Sequence, residues 1–268
     1  KVAFGCEPHA EAVGYLCVPG GLEGPAPAVI CMQGHNSGAH LSISVDRDDE
    51  TAPIEAKNDR DFGLQCLRRE KTVALCLEVR SFGLRREQRL ETHKSHCLDA
   101  ALHALLLGWT LLSERVWDVD RAIDYLTTRT EVDPARIGAM GESGGGTIAV
   151  YAAALLPRLA FAMPACGFCS FRGGILRIPH CADNYVPGLL NVAEMSDVLG
   201  LFAPKPLVVV AGDPDPYYPL AEVERAYGDV EAIYRAAGAA DRCRLVVGRE
   251  GHRFYADAGW SALEGMVA

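Results

Sequence analysis

The chain has 268 residues, 49% of them hydrophobic and 23% charged, the make-up of a globular protein with one sizeable core. A formal net charge of −9 argues against nucleic acid as the main partner. No apolar run approaches the roughly 18 residues of a membrane-spanning helix, and no signal peptide is read in these residues.

In chain order, Ala12–Val18 (AVGYLCV) reads as an early strand, antiparallel and near a sheet edge. Ala28–Met32 (AVICM), Thr72–Val79 (TVALCLEV), Arg136–Met140 (RIGAM), Leu159–Ala165 (LAFAMPA), Pro206–Gly212 (PLVVVAG) and Arg244–Gly248 (RLVVG) follow as buried strands. Their near-continuous apolar character fits a parallel sheet covered on both faces. Helices are predicted over Asp59–Arg69, Leu98–Leu107, Glu114–Arg129, Gly145–Leu156 and Pro219–Ala237, the last stopped by Gly238. In the third of these, Val119, Ala122, Ile123 and Leu126 share one face. Alternation of this kind predicts a single domain, a doubly wound α/β sheet with right-handed crossovers. Residues 36–58, with an acidic cluster at Asp46, Asp48, Asp49 and Glu50, and residues 167–199 break the rhythm. Both follow the C-terminal end of a strand, the side on which open α/β sheets bind ligands, and are expected to lie over the site.

Cys31, Cys76 and Cys243 sit inside apolar runs and read as small core residues, so a reduced, cytoplasmic setting is expected. Trp109, Trp117 and Trp260 read as core or helix-packing residues rather than sugar platforms.

Gly141-Glu142-Ser143-Gly144-Gly145 fits G-x-S-x-G between a strand and a helix. A strand turning sharply into a helix crowds its own backbone, so the flanking positions need glycine. The serine then stands above the sheet at a helix N-terminus, where negative charge is favoured. No lysine follows these glycines, which excludes a phosphate-binding loop. A serine nucleophile needs a base and an orienting acid. Asp213 and Asp215 both lie just beyond the strand Pro206–Gly212, with Asp215 favoured and Asp213 the alternative. His252 lies in the loop after Arg244–Gly248 and is the candidate base. The amide of Gly144, and that of His35 in the loop Gln33-Gly34-His35, are candidate oxyanion donors. Gln33, Glu142, His180, Asn184 and Tyr185 are candidate substrate contacts. His180, Cys181 and Asp183 match no zinc spacing, and neither metal nor cofactor is expected.

These residues resemble the acetyl xylan esterase and dienelactone-hydrolase-like branch of the α/β-hydrolases. The likeness is carried by LLLGWTLLSERVWDVDRAIDYL, EVDPARIGAMGESGGG, the segment PHCADNYVPGLLNVAEMSDVLGLFAPKPLVVVAGDPDP and GHRFY. EVRSFG resembles that branch's D-x-R-G-F-G turn, with Glu78 in place of aspartate. The resemblance implies a serine esterase with Ser143, Asp215 and His252 as its triad, and a small ester as substrate, an acetylated carbohydrate among the candidates. It also allows a homo-oligomer. Thioester or lactone hydrolysis, a prolyl-oligopeptidase-like peptidase, and a non-catalytic ligand-binding member of the fold are the alternatives. True dienelactone hydrolases use cysteine where this chain has Ser143.

Overall fold

The computed structural model describes residues 1–35, 38–69, 71–86 and 96–267. Its centre is one eight-stranded sheet of order β1-β2-β4-β3-β5-β6-β7-β8. The strands are β1 (Val2–Glu7), β2 (Ala10–Cys17), β3 (Ala26–Met32), β4 (Val73–Leu77), β5 (Val132–Glu142), β6 (Ala162–Ala165), β7 (Leu207–Gly212) and β8 (Cys243–Gly248). β2 runs antiparallel to both β1 and β4, and every pairing from β4 to β8 is parallel. The early strand is thus antiparallel as expected, but the edge belongs to β1. That strand alternates exposed and half-buried residues, so no apolar run marks it.

Among the described residues seven α-helices cover the sheet: α1 (Phe62–Arg68), α2 (His96–Leu106), α3 (Leu111–Thr127), α4 (Gly144–Leu155), α5 (Met195–Gly200), α6 (Leu220–Ala236) and α7 (Ala256–Val267). Strand alternation divides the core in two. Ala28, Ile30 and Met32 of β3, Leu75 of β4 and Val209 of β7 face one layer with Val119, Ile123 and Leu126 of α3, and Ile148 of α4. Val29, Cys31, Cys76 and Val208 face the other, with Phe62 and Cys66 of α1, and Trp260 and Leu263 of α7. Strands buried on both faces are why these runs read as continuously apolar.

The segment 167–199 is more ordered than a plain loop. It holds a π-helical turn (Phe171–Ile175), short 3₁₀ turns (Ala182–Asn184 and Leu189–Asn191) and the start of α5. Segment 36–58 carries a 3₁₀ turn at Ala39–Ile43 and an isolated bridge between Val45 and Pro53. Trp260 is buried, but Trp109 is 61% and Trp117 46% exposed, so the core reading fails for those two. Trp117 lies on the outer face of α3, with its indole N–H donating to the Cys6 carbonyl (2.7 Å) and the Arg121 guanidinium over its ring. Among the described residues no helix is long and apolar enough to cross a membrane.

Candidate active site

β5 lies at the middle of the sheet beside β3, where the chain returns from β4 to the other side. A crevice at the C-terminal ends of the strands is expected at such a switch point. Ser143 stands there, between β5 and α4, with φ 59° and ψ −122°. A non-glycine residue at positive φ carries strain of about 1–3 kcal/mol, held only where the surroundings over-determine it. The neighbours supply that constraint. A Cβ on Gly141 would lie 2.5 Å from the Gly145 carbonyl, and one on Gly145 would overlap the Met32 carbonyl. The Ser143 amide donates to Ala165 O (2.9 Å) and its carbonyl accepts from Thr147 (2.9 Å). Ser143 is the N-cap of α4, yet its hydroxyl makes no capping bond, so the oxygen stays available above the sheet.

Beyond β7, Asp215 is 6% exposed. Its Oδ1 accepts the amides of Tyr217 (2.8 Å) and Tyr218 (3.1 Å), and its Oδ2 lies 2.7 Å from His252 Nδ1. Asp213 takes no part in this contact; it pairs at the surface with Arg249. Tyr217 meets the His252 ring edge-on (5.2 Å between centroids), and Tyr218 lies parallel to it at 6.2 Å. The structure therefore brings Asp215 and His252 together and leaves Asp213 outside.

The other edge of His252 presents Nε2 to Glu142 Oε1 at 3.3 Å. Glu142 is fully buried. It is held by Arg60 through a two-point contact, Nε to Oε2 (3.1 Å) and Nη2 to Oε1 (3.0 Å). A buried carboxylate without such a partner would be costly, so Arg60 is what permits a charge beside the histidine. Nothing in the sequence pointed to Arg60: it precedes α1 in an irregular stretch, and only the fold carries it to the elbow.

The β3 loop closes the other side of Ser143. A Cβ on Gly34 would come within 2.9 Å of Ser143 Cβ, which is the close approach expected of an oxyanion loop. Gln33 points away from the cleft. Its Nε2 donates to Ser42 Oγ (2.5 Å) and to the Arg60 carbonyl (3.0 Å), bracing the loop from beneath. The His35 ring lies against the first turn of α4; a Cβ on Gly144 would sit 2.8 Å from its Nδ1 and 3.5 Å from Phe82 Cζ. His35 Nε2 faces the buried Asp183 at 3.1–3.2 Å. Burial alone would lower the His35 pKa, but hydrogen bonding to Asp183 and Cys97 raises it to about 9. Asp183 is also paired with the buried Arg115, which together with His35 holds the carboxyl well below its ordinary range.

His180 Nε2 donates to the Tyr217 carbonyl (3.0 Å) and its ring meets the Tyr218 ring edge-on, so it braces the acid loop. Asn184 is buried, its amide donating to Cys181 O (3.4 Å), and Tyr185 OH donates to Ile175 O (3.3 Å). Both serve the internal packing of their own segment. Cys166 and Cys169 have C-x-x-C spacing beside the site, yet they bond apart, Cys166 to the Arg253 carbonyl (3.2 Å) and Cys169 to that of Ser170 (3.4 Å). Burial pushes both thiols up, Cys169 to about 12.

The same fold recurs in solved structures. A protein from Bacteroides fragilis described as an acetyl xylan esterase superposes with a TM-score of 0.72 at 14% identity, covering 92% of this chain and 65% of that one. The chain has the α/β-hydrolase fold. A carbohydrate esterase family 15 esterase from a marine bacterial metagenome gives a TM-score of 0.68 at 14% identity, covering 97% of this chain and 78% of the other. A protein from Klebsiella pneumoniae described as a dienelactone hydrolase gives 0.59 at 20% identity, covering 96% and 92%. In sequence, the family model Acetyl xylan esterase (AXE1) matches residues 101–186, from α2 through the elbow into the pocket segment. A Bacillus subtilis protein named as a hydrolase, YtaP, is 27% identical over 261 residues, covering 91% of this chain and 79% of its own length. Over residues 101–186 the chain is thus similar to acetyl xylan esterases, and in fold to acetyl xylan esterase and dienelactone hydrolase structures.

Proposed function

We propose that this chain hydrolyses carboxylic esters of short acyl groups, acetyl foremost, through a serine acyl-enzyme. The observation that carries the reading is the strained Ser143 at the end of β5, next in the chain to Glu142, which lies 3.3 Å from Nε2 of a histidine whose Nδ1 is fixed by the buried Asp215 at 2.7 Å. Asp215 keeps the Nδ1–H tautomer, leaving Nε2 to accept the Ser143 proton as Oγ attacks the ester carbonyl. The carbonyl oxygen becomes an oxyanion held by the amides of Gly144 and His35. The imidazolium then returns its proton to the leaving alcohol, and a water activated by Nε2 releases the acid. The Glu142 carboxylate, 3.3 Å from Nε2, stabilises the transient imidazolium. The rings of His35 and Phe82 crowd the first turn of α4, which supports a small acyl group. The AXE1 match supports the same preference.

The test is a series of p-nitrophenyl esters of increasing chain length, run beside acetylated xylo-oligosaccharides, with fluorophosphonate labelling read by mass spectrometry. The expected result is a label on Ser143, turnover highest for acetate, and loss of about 10⁶-fold in kcat for Ser143→Ala. Undiminished turnover by Ser143→Ala would remove the acyl-enzyme. Equal rates on long chains would replace the acetyl preference with a general carboxylesterase.

A further inference from the structure

Beside the oxyanion loop the fold gathers a second set of chemistry-bearing side chains. His35 comes from the β3 loop, Cys97 from the first turn of α2, and Cys181 and Asp183 from the pocket segment. One ligand atom from each of the four lies within 4.8 Å of the others. Cys97 and Asp183 are buried, while His35 and Cys181 are partly so. We propose that His35, Cys97, Cys181 and Asp183 form a tetrahedral site for a zinc-like divalent cation that fastens the pocket segment and α2 to the oxyanion loop.

Ligand chemistry selects the ion. Two thiolates, one imidazole and one carboxylate suit a borderline-soft, four-coordinate cation such as Zn²⁺ rather than Mg²⁺ or Ca²⁺, which take oxygen shells. Zinc bonds of about 2.0–2.3 Å span a tetrahedron with edges of roughly 3.3–3.8 Å. A spread capped at 4.8 Å closes on that figure with inward shifts of about 1 Å.

Charge balance agrees. Two thiolates and Asp183 bring three negative charges, the cation two positive, and the remaining charge is met by Arg115, already paired with Asp183. A coordinating carboxylate held from behind by a hydrogen-bonding partner is the usual arrangement at metal sites. Arg115 is itself fixed, donating to Ser81 Oγ (2.9 Å) and Arg80 O (3.1 Å) and packed on the Phe82 ring. Binding displaces the two thiol protons and the proton on His35, so ion uptake releases up to three protons with charge conserved. All four positions are filled by protein, which makes the site structural rather than hydrolytic. Metal binding at this cluster needs no turnover by the serine and is read directly as binding.

The experiment uses the reduced, chelator-stripped full chain and Co²⁺ as a spectroscopic probe, displaced afterwards by Zn²⁺. The expected result is one Co²⁺ per chain with a thiolate-to-cobalt charge-transfer band and tetrahedral d–d absorption, both lost on adding Zn²⁺. Zn²⁺ should raise the melting temperature of the wild type. Cys97→Ser and Cys181→Ser should each remove the charge-transfer intensity or weaken binding at least tenfold, and Asp183→Asn should weaken it. Cys243→Ser, in β8, should bind as the wild type does. Circular dichroism identifies any variant that fails to fold, and the remaining ligand variants then decide. Absence of stoichiometric binding by the wild type, an unchanged band in folded Cys97→Ser and Cys181→Ser, or a Cys97–Cys181 disulfide in the purified protein would each overturn the site.

Discussion

Replacing Asp215 by asparagine tests the proposed mechanism most sharply, because the structure dictates how the new amide must sit. Two backbone amides, those of Tyr217 and Tyr218, converge on Oδ1 at 2.8 and 3.1 Å. Only an acceptor fits there, so the asparagine carbonyl takes that place and its NH₂ turns towards His252 Nδ1. Nδ1 must then accept, which puts the single ring proton on Nε2. In that tautomer His252 cannot take the Ser143 proton. The geometry is otherwise preserved, since the substitution is isosteric and its two amide bonds survive. Loss of the correct tautomer costs about 10⁴-fold in kcat, or about 5 kcal/mol of transition-state stabilisation. KM for p-nitrophenyl acetate should change little, as ground-state contacts are untouched. Initial rates with that ester, together with pre-steady-state bursts, measure both quantities. Asp213→Asn is the matched control: its side chain is 37% exposed and paired with Arg249, so activity should stay within about twofold. If Asp215→Asn kept more than about a tenth of wild-type kcat, the tautomer argument and the choice of acid would both fall.

Arg60→Ala should destabilise the fold by about 3–5 kcal/mol, because it strands the buried Glu142 carboxylate beside His252; urea denaturation showing a loss below about 1 kcal/mol would refute this. Glu78, 1% exposed, has its carboxyl pushed by burial from 4.5 up to about 7, despite amide bonds from Ala39 and Leu84. Its folded-state pKa is raised, so between pH 4.5 and about 7 the folded chain holds a proton that the unfolded chain has lost. Stability from this group therefore falls as pH rises through that window, by on the order of 3 kcal/mol in all. Glu78→Gln should remove that slope in denaturation curves measured from pH 4 to 8, and identical slopes in both proteins would sink the assignment.

Elements with their own local signature were legible before any coordinates. The apolar runs of β3, β4, β7 and β8, the glycine-flanked Ser143, and the order Ser143, Asp215, His252 all sit where the fold places them. The first strand, α5 and α7 were missed because each is short or half-exposed, so its periodicity is weak. Trp117 was misjudged as core for a related reason, since helical spacing alone does not say which face of α3 meets the sheet, and Trp109 lies just before that helix, where no periodicity applies.

The amino-acid sequence determined the α/β class, the position of the elbow and the residue types able to serve as nucleophile, acid and base. These follow from local rules: burial on both faces makes a strand apolar, and a sharp strand-to-helix turn demands glycine. The sequence favoured Asp215 over Asp213, but only the tertiary structure set Asp215 against His252 and Asp213 against Arg249, since the two differ in where β7 releases the chain and not in chemistry. It alone brought Arg60 onto Glu142. It also gathered His35, Cys97, Cys181 and Asp183, whose ligands come from separate segments and so leave no fixed spacing to read. Long-range pairings of this kind depend on crossover geometry, which no local pattern of residues records.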